Sequence, residues 1–383
     1  MSQDREQNFI ITGATGLIGS HVLYELVRLK AMGSITGNLA VLTRPKSHSG
    51  VSSEERIRSL LAHPDAPDYM RDPEVAACAG SVITISADIM SPNLKDQLSV
   101  VNDGSWYVIH CAGSTNLFSD HKAEIEVRDT NYNGTLALLK ALGGRTSKFI
   151  YISTAFSCGI REGIIDDNYL DMKPGEFRNP YERYKFLTEK AVAEWCNQSG
   201  IPWQILRPSA TCGRLLDPPL YVTTKFDVFY GWAGFFNKYH AEGHDFGHVR
   251  LWINEKGGLN IVPADYVAKA IIEATKSSFT EVNICHSQPL MYTKYMPIMN
   301  KKIGLTSYEF VSDMPSGKLT KFERLFYNTV HRAMGPYVCG DLAVYDTKRL
   351  RDILKSENEP NIELGFGGLI DFAVSREFKS QWV

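Results

Sequence analysis

Short, mostly apolar runs bounded by turn residues alternate with segments of helical periodicity through the first two-thirds of the chain. Runs 9–12, 39–43, 82–86, 106–111, 149–153, 203–207 and 282–286 have the length and composition of strands. Between them, 17–29, 54–62, 129–141, 181–198 and 263–274 repeat apolar residues at helical spacing. Strand and helix in this alternation predict an α/β fold, a Rossmann-type doubly wound parallel sheet with helices on both faces. After Gly213 the pattern changes: 226–239 crowds Phe226, Phe229, Tyr230, Trp232, Phe235, Phe236 and Tyr239 around two glycines. From 291 onward there are helical pieces without a repeat or a low-complexity tract. The predicted division is a sheet domain of 1–212 and 255–288, and a smaller, mainly helical C-terminal lobe of 213–254 and 289–383.

Composition narrows the classes. In 383 residues, 44% are hydrophobic and 22% charged, which suits one large α/β unit with an appended part rather than a disordered chain. A formal net charge of -2 with no basic run gives no field for nucleic acid. Seven cysteines (Cys78, Cys111, Cys158, Cys196, Cys212, Cys285, Cys339) are odd in number and without Cys-x-x-Cys spacing, so reduced thiols in a cytoplasmic protein are expected, and no metal site. Residues 1–7 are polar and charged, unlike a signal peptide, and no apolar stretch is long enough to cross a bilayer. Peripheral membrane contact stays open, as does the oligomeric state.

The run Thr12-Gly13-Ala14-Thr15-Gly16-Leu17-Ile18-Gly19 follows a strand and opens a helix, the context in which a glycine pattern binds a dinucleotide. Gly13 permits the tight turn, Gly16 lets the backbone approach a pyrophosphate, and Gly19 allows close helix packing. With Thr15, Leu17 and Ile18 they form the expected cofactor turn, whose helix N-terminus offers N–H groups to phosphate. The second strand ends in Leu42-Thr43-Arg44-Pro45-Lys46. A basic residue there neutralises a 2′-phosphate where an acidic one would bind a ribose diol, so NADPH is the expected cofactor. Arg44 as a solvated surface charge is the competing reading. Arg56, and with less reason Arg58, would add a second contact.

Tyr181 and Lys185 are four residues apart and share one helix face. A free phenol, with pKa about 10, exchanges protons poorly at neutral pH, and a nearby ammonium is expected to lower it. Lys185 would supply that charge and hold nicotinamide ribose hydroxyls. Thr154, at the carboxyl edge of the sheet, would donate to the substrate oxygen, with Ser153 as the competing assignment and also a cofactor contact.

These residues resemble the extended short-chain dehydrogenases, and within them the fatty acyl-CoA reductase (male-sterility) and thioester reductase branch, over the first three-quarters of the chain. The resemblance rests on the glycine turn, Leu42-Thr43-Arg44-Pro45-Lys46-Ser47 with Glu54-Glu55-Arg56, and Ala87-Asp88-Ile89. It continues through His110-Cys111-Ala112 with Phe118, Asn131-Tyr132-Asn133-Gly134-Thr135, Ser153-Thr154-Ala155, Tyr181 with Lys185, Leu206-Arg207-Pro208-Ser209, and the stretch from Leu259 to Val267. It implies that Asp88 and Ile89 flank the adenine, that Cys111, Ala112 and Gly113 line the cofactor, and that Asn131 supports the site through the backbone. It places Pro208 and Ser209 beside the nicotinamide. Gly113-Ser114 and Ala264 depart from the family's usual residues and leave the subfamily open. Farther on, Tyr337-Val338-Cys339-Gly340-Asp341, Val344-Tyr345-Asp346 and Arg349-Leu350 look faintly like a fatty acyl reductase C-terminal domain.

The implied activity is NADPH-dependent reduction of an acyl thioester, carried on coenzyme A or a carrier protein, to an aldehyde, with the further step to an alcohol left open. A ketone or aldehyde reductase, a nucleotide-sugar enzyme, and a dinucleotide-binding protein without turnover are the alternatives. The aromatic cluster has three readings: the wall of an acyl tunnel, the core of the second lobe, or an edge resting on a membrane surface.

Overall fold

Seven apolar runs become strands of one sheet: β1 (Asn8–Thr12), β2 (Leu39–Thr43), β3 (Ile83–Ser86), β4 (Trp106–His110), β5 (Thr146–Ile152), β6 (Trp203–Pro208) and β7 (Glu281–Ile284). The computed structural model describes residues 7–44, 50–101, 105–161, 163–355 and 358–380; residues 1–6 and the motif residues Pro45, Lys46 and Ser47 lie outside these. The strands run in the order β7-β6-β5-β4-β1-β2-β3, and every neighbouring pair is parallel. Strand order reverses between β1 and β4, where Thr12 lies opposite His110. That switch opens a crevice at the carboxyl ends of the strands, the ligand-binding edge of a Rossmann sheet.

Helices cover both faces, as strands of this apolarity require. On one, Val22 and Leu26 of the helix Leu17–Ala31 share a core with Ala270 and Ile271 of the helix Ala264–Thr275. On the other, Leu138, Val192 and Cys196 pack over Ile10, Val108 and Phe149. The helix expected at 54–62 is Ser53–Leu61, started by a capping box between Ser52 and Glu55. The one expected at 181–198 is Pro180–Ser199, capped by the Asn179 side chain and ended by Gly200 in the left-handed region. The segment 129–141 differs: a helix His121–Val127 leads into a π-helical turn, Arg128–Asn133, before the α-helix Gly134–Leu142. The helices Pro73–Gly80 and Leu94–Gln97 carried no periodicity strong enough to be anticipated.

A second core gathers Trp232, Phe236, Met299, Phe326, Phe366 and Ile370. The aromatic cluster forms the helix Phe229–Ala241, with Phe229, Tyr230, Trp232 and Phe236 buried, and Phe235 and Tyr239 covered by the ring of Phe322. Near the C-terminus, Leu350 and Leu354 of the helix Lys348–Leu354 return to the first core. Among the described residues no helix is long and apolar enough to cross a membrane, and no cluster of His, Cys, Asp or Glu is suited to a metal ion. All seven cysteines are free thiols.

Candidate active site

The glycine turn is built as its spacing demands. Gly13 has φ +69° and packs so tightly on the end of β4 that a Cβ would sit 2.6 Å from the Ala112 nitrogen. A Cβ on Gly19 would lie 2.2 Å from the Gly13 carbonyl oxygen, so the helix can start against the strand only without one. Gly16 caps that helix with extended backbone and no side chain, leaving the first-turn N–H groups facing the cleft. This uncapped, side-chain-free cradle fits a diphosphate.

At the end of β2, Arg44 is exposed and paired with Asp88 at 3.7 Å. Arg56 reaches the same corner, donating to the Arg44 carbonyl, to Thr43 Oγ1 at 3.4 Å and to Thr15 Oγ1 at 3.3 Å. Two guanidiniums thus converge beside the turn, and partial burial next to Arg44 holds the Arg56 pKa below its usual value. Arg58 is exposed and does not line the cleft. Asp88, Ile89, Cys111, Ala112, Gly113, Ser153, Pro208 and Ser209 all line it, together with Thr15, Leu17 and Ile18. Asn131 does not: its side chain is held between the Ser114 nitrogen and carbonyl at 2.7 and 3.0 Å, on the π-helical turn. Gly113 leaves room for that clasp, since a Cβ would meet Asn131 Oδ1 at 2.9 Å.

Thr154 and Tyr181 meet at the middle of the cleft, 5% and 9% exposed. Burial raises the Tyr181 phenol above its ordinary pKa, the Thr154 hydroxyl opposes that, and Glu182 and Asp227 add to it. The expected acidified phenol is therefore not what this arrangement gives. Lys185 lies over the Tyr151 ring at 4.8 Å and donates to the Ile152 carbonyl at 2.9 Å; burial brings its ammonium down to about 8. Ser153 turns its hydroxyl to buried Glu189, which also accepts from Ser157 at 2.6 Å. Glu189 is in turn clasped by fully buried Arg207 at 2.8 Å, and Arg207 spans to Glu281 and to the Asp167 carbonyl at 2.7 Å. This buried, fully paired network fixes the ends of β5 and β6 behind the site.

Beyond Tyr181 the cleft, about 490 Å³ in all, runs into the second lobe. Phe229, Trp232, Tyr292, Tyr295, Met296, Met299 and Met334 wall this end. The 292, 295, 296, 299 spacing of one helix face was readable in the sequence but was not singled out. Lys225, Asp227 and Val228 were also missed. Asp227 accepts from Thr115 at 3.1 Å, and Val228 holds φ 56°, a β-branched residue in the left-handed region where the second lobe meets the cleft.

The aligned sequence of fatty acyl-CoA reductase 1 from Xenopus laevis is 26% identical over 258 residues, 60% of this chain and 46% of that protein. The chain spans less than half the length of the curated relatives it matches. A thiolation-reductase di-domain from an archaeal non-ribosomal peptide synthetase superposes with TM-score 0.67 at 18% identity, over 98% of this chain and 77% of that one. UDP-glucuronic acid 4-epimerase from Bacillus cereus gives 0.63 at 16%, over 97% and 99%. These two likenesses establish the fold. A family model described as male sterility protein matches residues 11–271, more than half of the chain, which therefore belongs to that family, in the fatty acyl-CoA reductase branch of the extended short-chain dehydrogenases.

Proposed function

We propose that the protein is an NADPH-dependent reductase of acyl thioesters carried on coenzyme A or a carrier protein. The observation that carries this is one continuous cleft, leading from the uncapped glycine turn past Thr154 and Tyr181 into an apolar chamber. In this reading the sheet domain, 1–212 with 255–288, holds the cofactor, and 213–254 with 289–383 holds the acyl group, except for the helix Lys348–Leu354, which packs on the sheet domain.

When bound, NADPH supplies the hydride. The first-turn N–H groups at Leu17 and Ile18 would hold the diphosphate, the Gly16 N–H being engaged by the Gly13 carbonyl at 2.9 Å, and Arg44 with Arg56 would flank the 2′-phosphate. Asp88 and Ile89 bracket the adenine; Cys111, Ala112, Gly113, Ser153, Pro208 and Ser209 shape the channel, and Asn131 acts behind it through the Ser114 backbone. Lys185 positions ribose hydroxyls. Thr154 and Tyr181 donate to the thioester carbonyl oxygen as negative charge collects there, and Tyr181 delivers a proton. A phenol kept protonated by burial suits this donor role. The apolar chamber excludes water while the thiol departs.

Purified protein incubated with NADPH or NADH and a panel of acyl-CoA and acyl-pantetheine thioesters is expected to consume NADPH and release one thiol for each aldehyde formed. Mass spectrometry of the products separates aldehyde from alcohol. No nicotinamide oxidation and no thiol with any thioester would overturn the proposal, whereas oxidation without thiol would move it to ketone or aldehyde reduction.

A further inference from the structure

The helix that carries Tyr181 is tied at its start to the other lobe. Tyr181 is the second residue of the helix Pro180–Ser199, in a first turn whose N–H groups have no partner within the helix, so caps and tertiary contacts set where that turn sits. The cap is Asn179: its Oδ1 accepts from the Glu182 nitrogen at 3.1 Å, and its Nδ2 donates to the Tyr337 hydroxyl at 2.9 Å. Tyr337 comes from the helix Val330–Val338 of the second lobe. An amide nitrogen only donates, so the Tyr337 oxygen accepts there and its proton is left for another partner. The fully buried Glu182 carboxylate stands beside that hydroxyl. It also accepts from the Arg178 nitrogen at 3.0 Å and from the Arg178 guanidinium at 3.3 Å, and the guanidinium lies over the Tyr337 ring at 5.3 Å.

Tyr337 reaches the cleft as well. Its ring lines the wall in edge contact with Phe156 at 5.4 Å, and its carbonyl accepts from Tyr292, another lining residue, at 3.1 Å. Phenylalanine would fill that wall and keep both contacts, so the hydroxyl has its use at the cap rather than in the packing. We infer that Tyr337 is a positioning residue for Tyr181: through Asn179 and Glu182 it fixes the first turn of the helix that brings the phenol to Thr154, so that the second lobe completes the proton-donating site, a role that rests on the acyl-thioester reading of the cleft. Precision of this kind has a large effect on rate, since a misplacement of about 1 Å costs on the order of a hundredfold.

Two variants cut the same bond from opposite ends. Tyr337→Phe removes the hydroxyl, and Asn179→Ser keeps an oxygen for the cap while losing the amide donor. Each is expected to lower kcat with an acyl-pantetheine thioester about tenfold or more and to leave KM for NADPH within about twofold. The double variant should be no worse than either single one, because all three lose the same coupling. Carbon-13 NMR of protein labelled at the tyrosine ring carbon that bears the hydroxyl reads the phenol without turnover, the Tyr181 signal being the one absent from Tyr181→Phe. Glu182 on its own helix and Asp227 on the second lobe are the charges acting on this phenol, with the Thr154 hydroxyl bonded to it and the Tyr151 phenol nearby. In the NADPH-loaded parent it should stay protonated beyond the ordinary phenol range, and in either variant, with the turn loosened toward water, its titration should fall back toward that range. A titration unchanged from the parent in both variants overturns the inference, as does a double variant whose effect is the product of the single ones. The two readings fail separately: a shifted titration with no thioester reduced by the parent sinks the reductase reading alone, and thioester reduction with an unshifted titration sinks this one alone.

Discussion

Replacing Lys185 by Met is expected to make the protein more stable while removing its turnover. The side chain is 6% exposed, and burial brings its ammonium from 10.5 to about 8, with Glu189 and Cys111 pulling the other way. A lysine whose pKa is lower in the folded state binds its proton more tightly in the unfolded chain, so at neutral pH protonation favours unfolding. At about 1.4 kcal/mol for each tenfold in proton affinity, the fall costs the fold about 3 kcal/mol at pH 7. Methionine keeps an unbranched side chain and removes the charge. It also strips the Ile152 carbonyl of the donor it has at 2.9 Å, which returns about 1 kcal/mol. The net gain is about 2 kcal/mol at pH 7. As pH rises from about 8 toward 10.5 the wild-type cost fades, because neither state then holds the proton, and the two proteins should become equal near pH 10. Urea unfolding of both proteins at pH 7 and pH 10, with turnover measured alongside, reads all of this. A variant less stable than the parent at pH 7, or a gap that does not narrow with pH, would refute the reasoning.

Tyr181→Phe should abolish thioester reduction and leave NADPH binding by fluorescence titration within about twofold, since only the donor is removed; loss of binding would give the phenol a structural role. Arg44→Ala combined with Arg56→Ala should weaken NADPH about tenfold or more in calorimetric titration and change NADH little, because only the phosphorylated dinucleotide offers a charge-assisted pair; an equal loss for both would move the 2′-phosphate site elsewhere. Gly13→Ala, with a Cβ 2.6 Å from the Ala112 nitrogen at φ +69°, should lower stability by about 2 kcal/mol or more and abolish cofactor binding. Parental unfolding and binding would mean the turn has slack that its geometry does not suggest.

What the sequence disclosed was whatever is local. Three glycines between a strand and a helix specify a turn by their own steric needs, and Tyr181 and Lys185 share a face because four residues make about one helical turn. Strand order and register were not read from the sequence, because they depend on which apolar runs pair across long crossovers. Ser153 against Thr154 could not be settled from the sequence either. Glu189, 36 residues on, takes the Ser153 hydroxyl into the Arg207 network, while the Thr154 hydroxyl lies at the phenol. Asn131 was expected to act through the backbone, but the π-helical turn that aims it at Ser114 is invisible to a periodicity of 3.6. The aromatic helix resisted a single reading because it has two roles: Phe236 is core, while Phe229 and Trp232 face both core and cleft.

The sign of the phenol's pKa was misjudged for a related reason. Two residues on one helix face were weighed as though water surrounded them, so the ammonium dominated. In the fold both side chains are buried: desolvation raises the Tyr181 phenol against the Thr154 hydroxyl alone, with Glu182 and Asp227 adding to the rise, and it lowers the Lys185 ammonium. Under the proposed function this is an advantage rather than a conflict. A phenolate would serve an oxidation, in which a base must take a proton from an alcohol, whereas reduction of a carbonyl needs a group that still has its proton when the oxygen becomes negative. The same burial that makes the pair hard to read from sequence would then bias the site toward reduction. Opening the chamber, by trimming Phe229 or Met334, should bring the Tyr181 phenol back toward its ordinary range and reduce that bias.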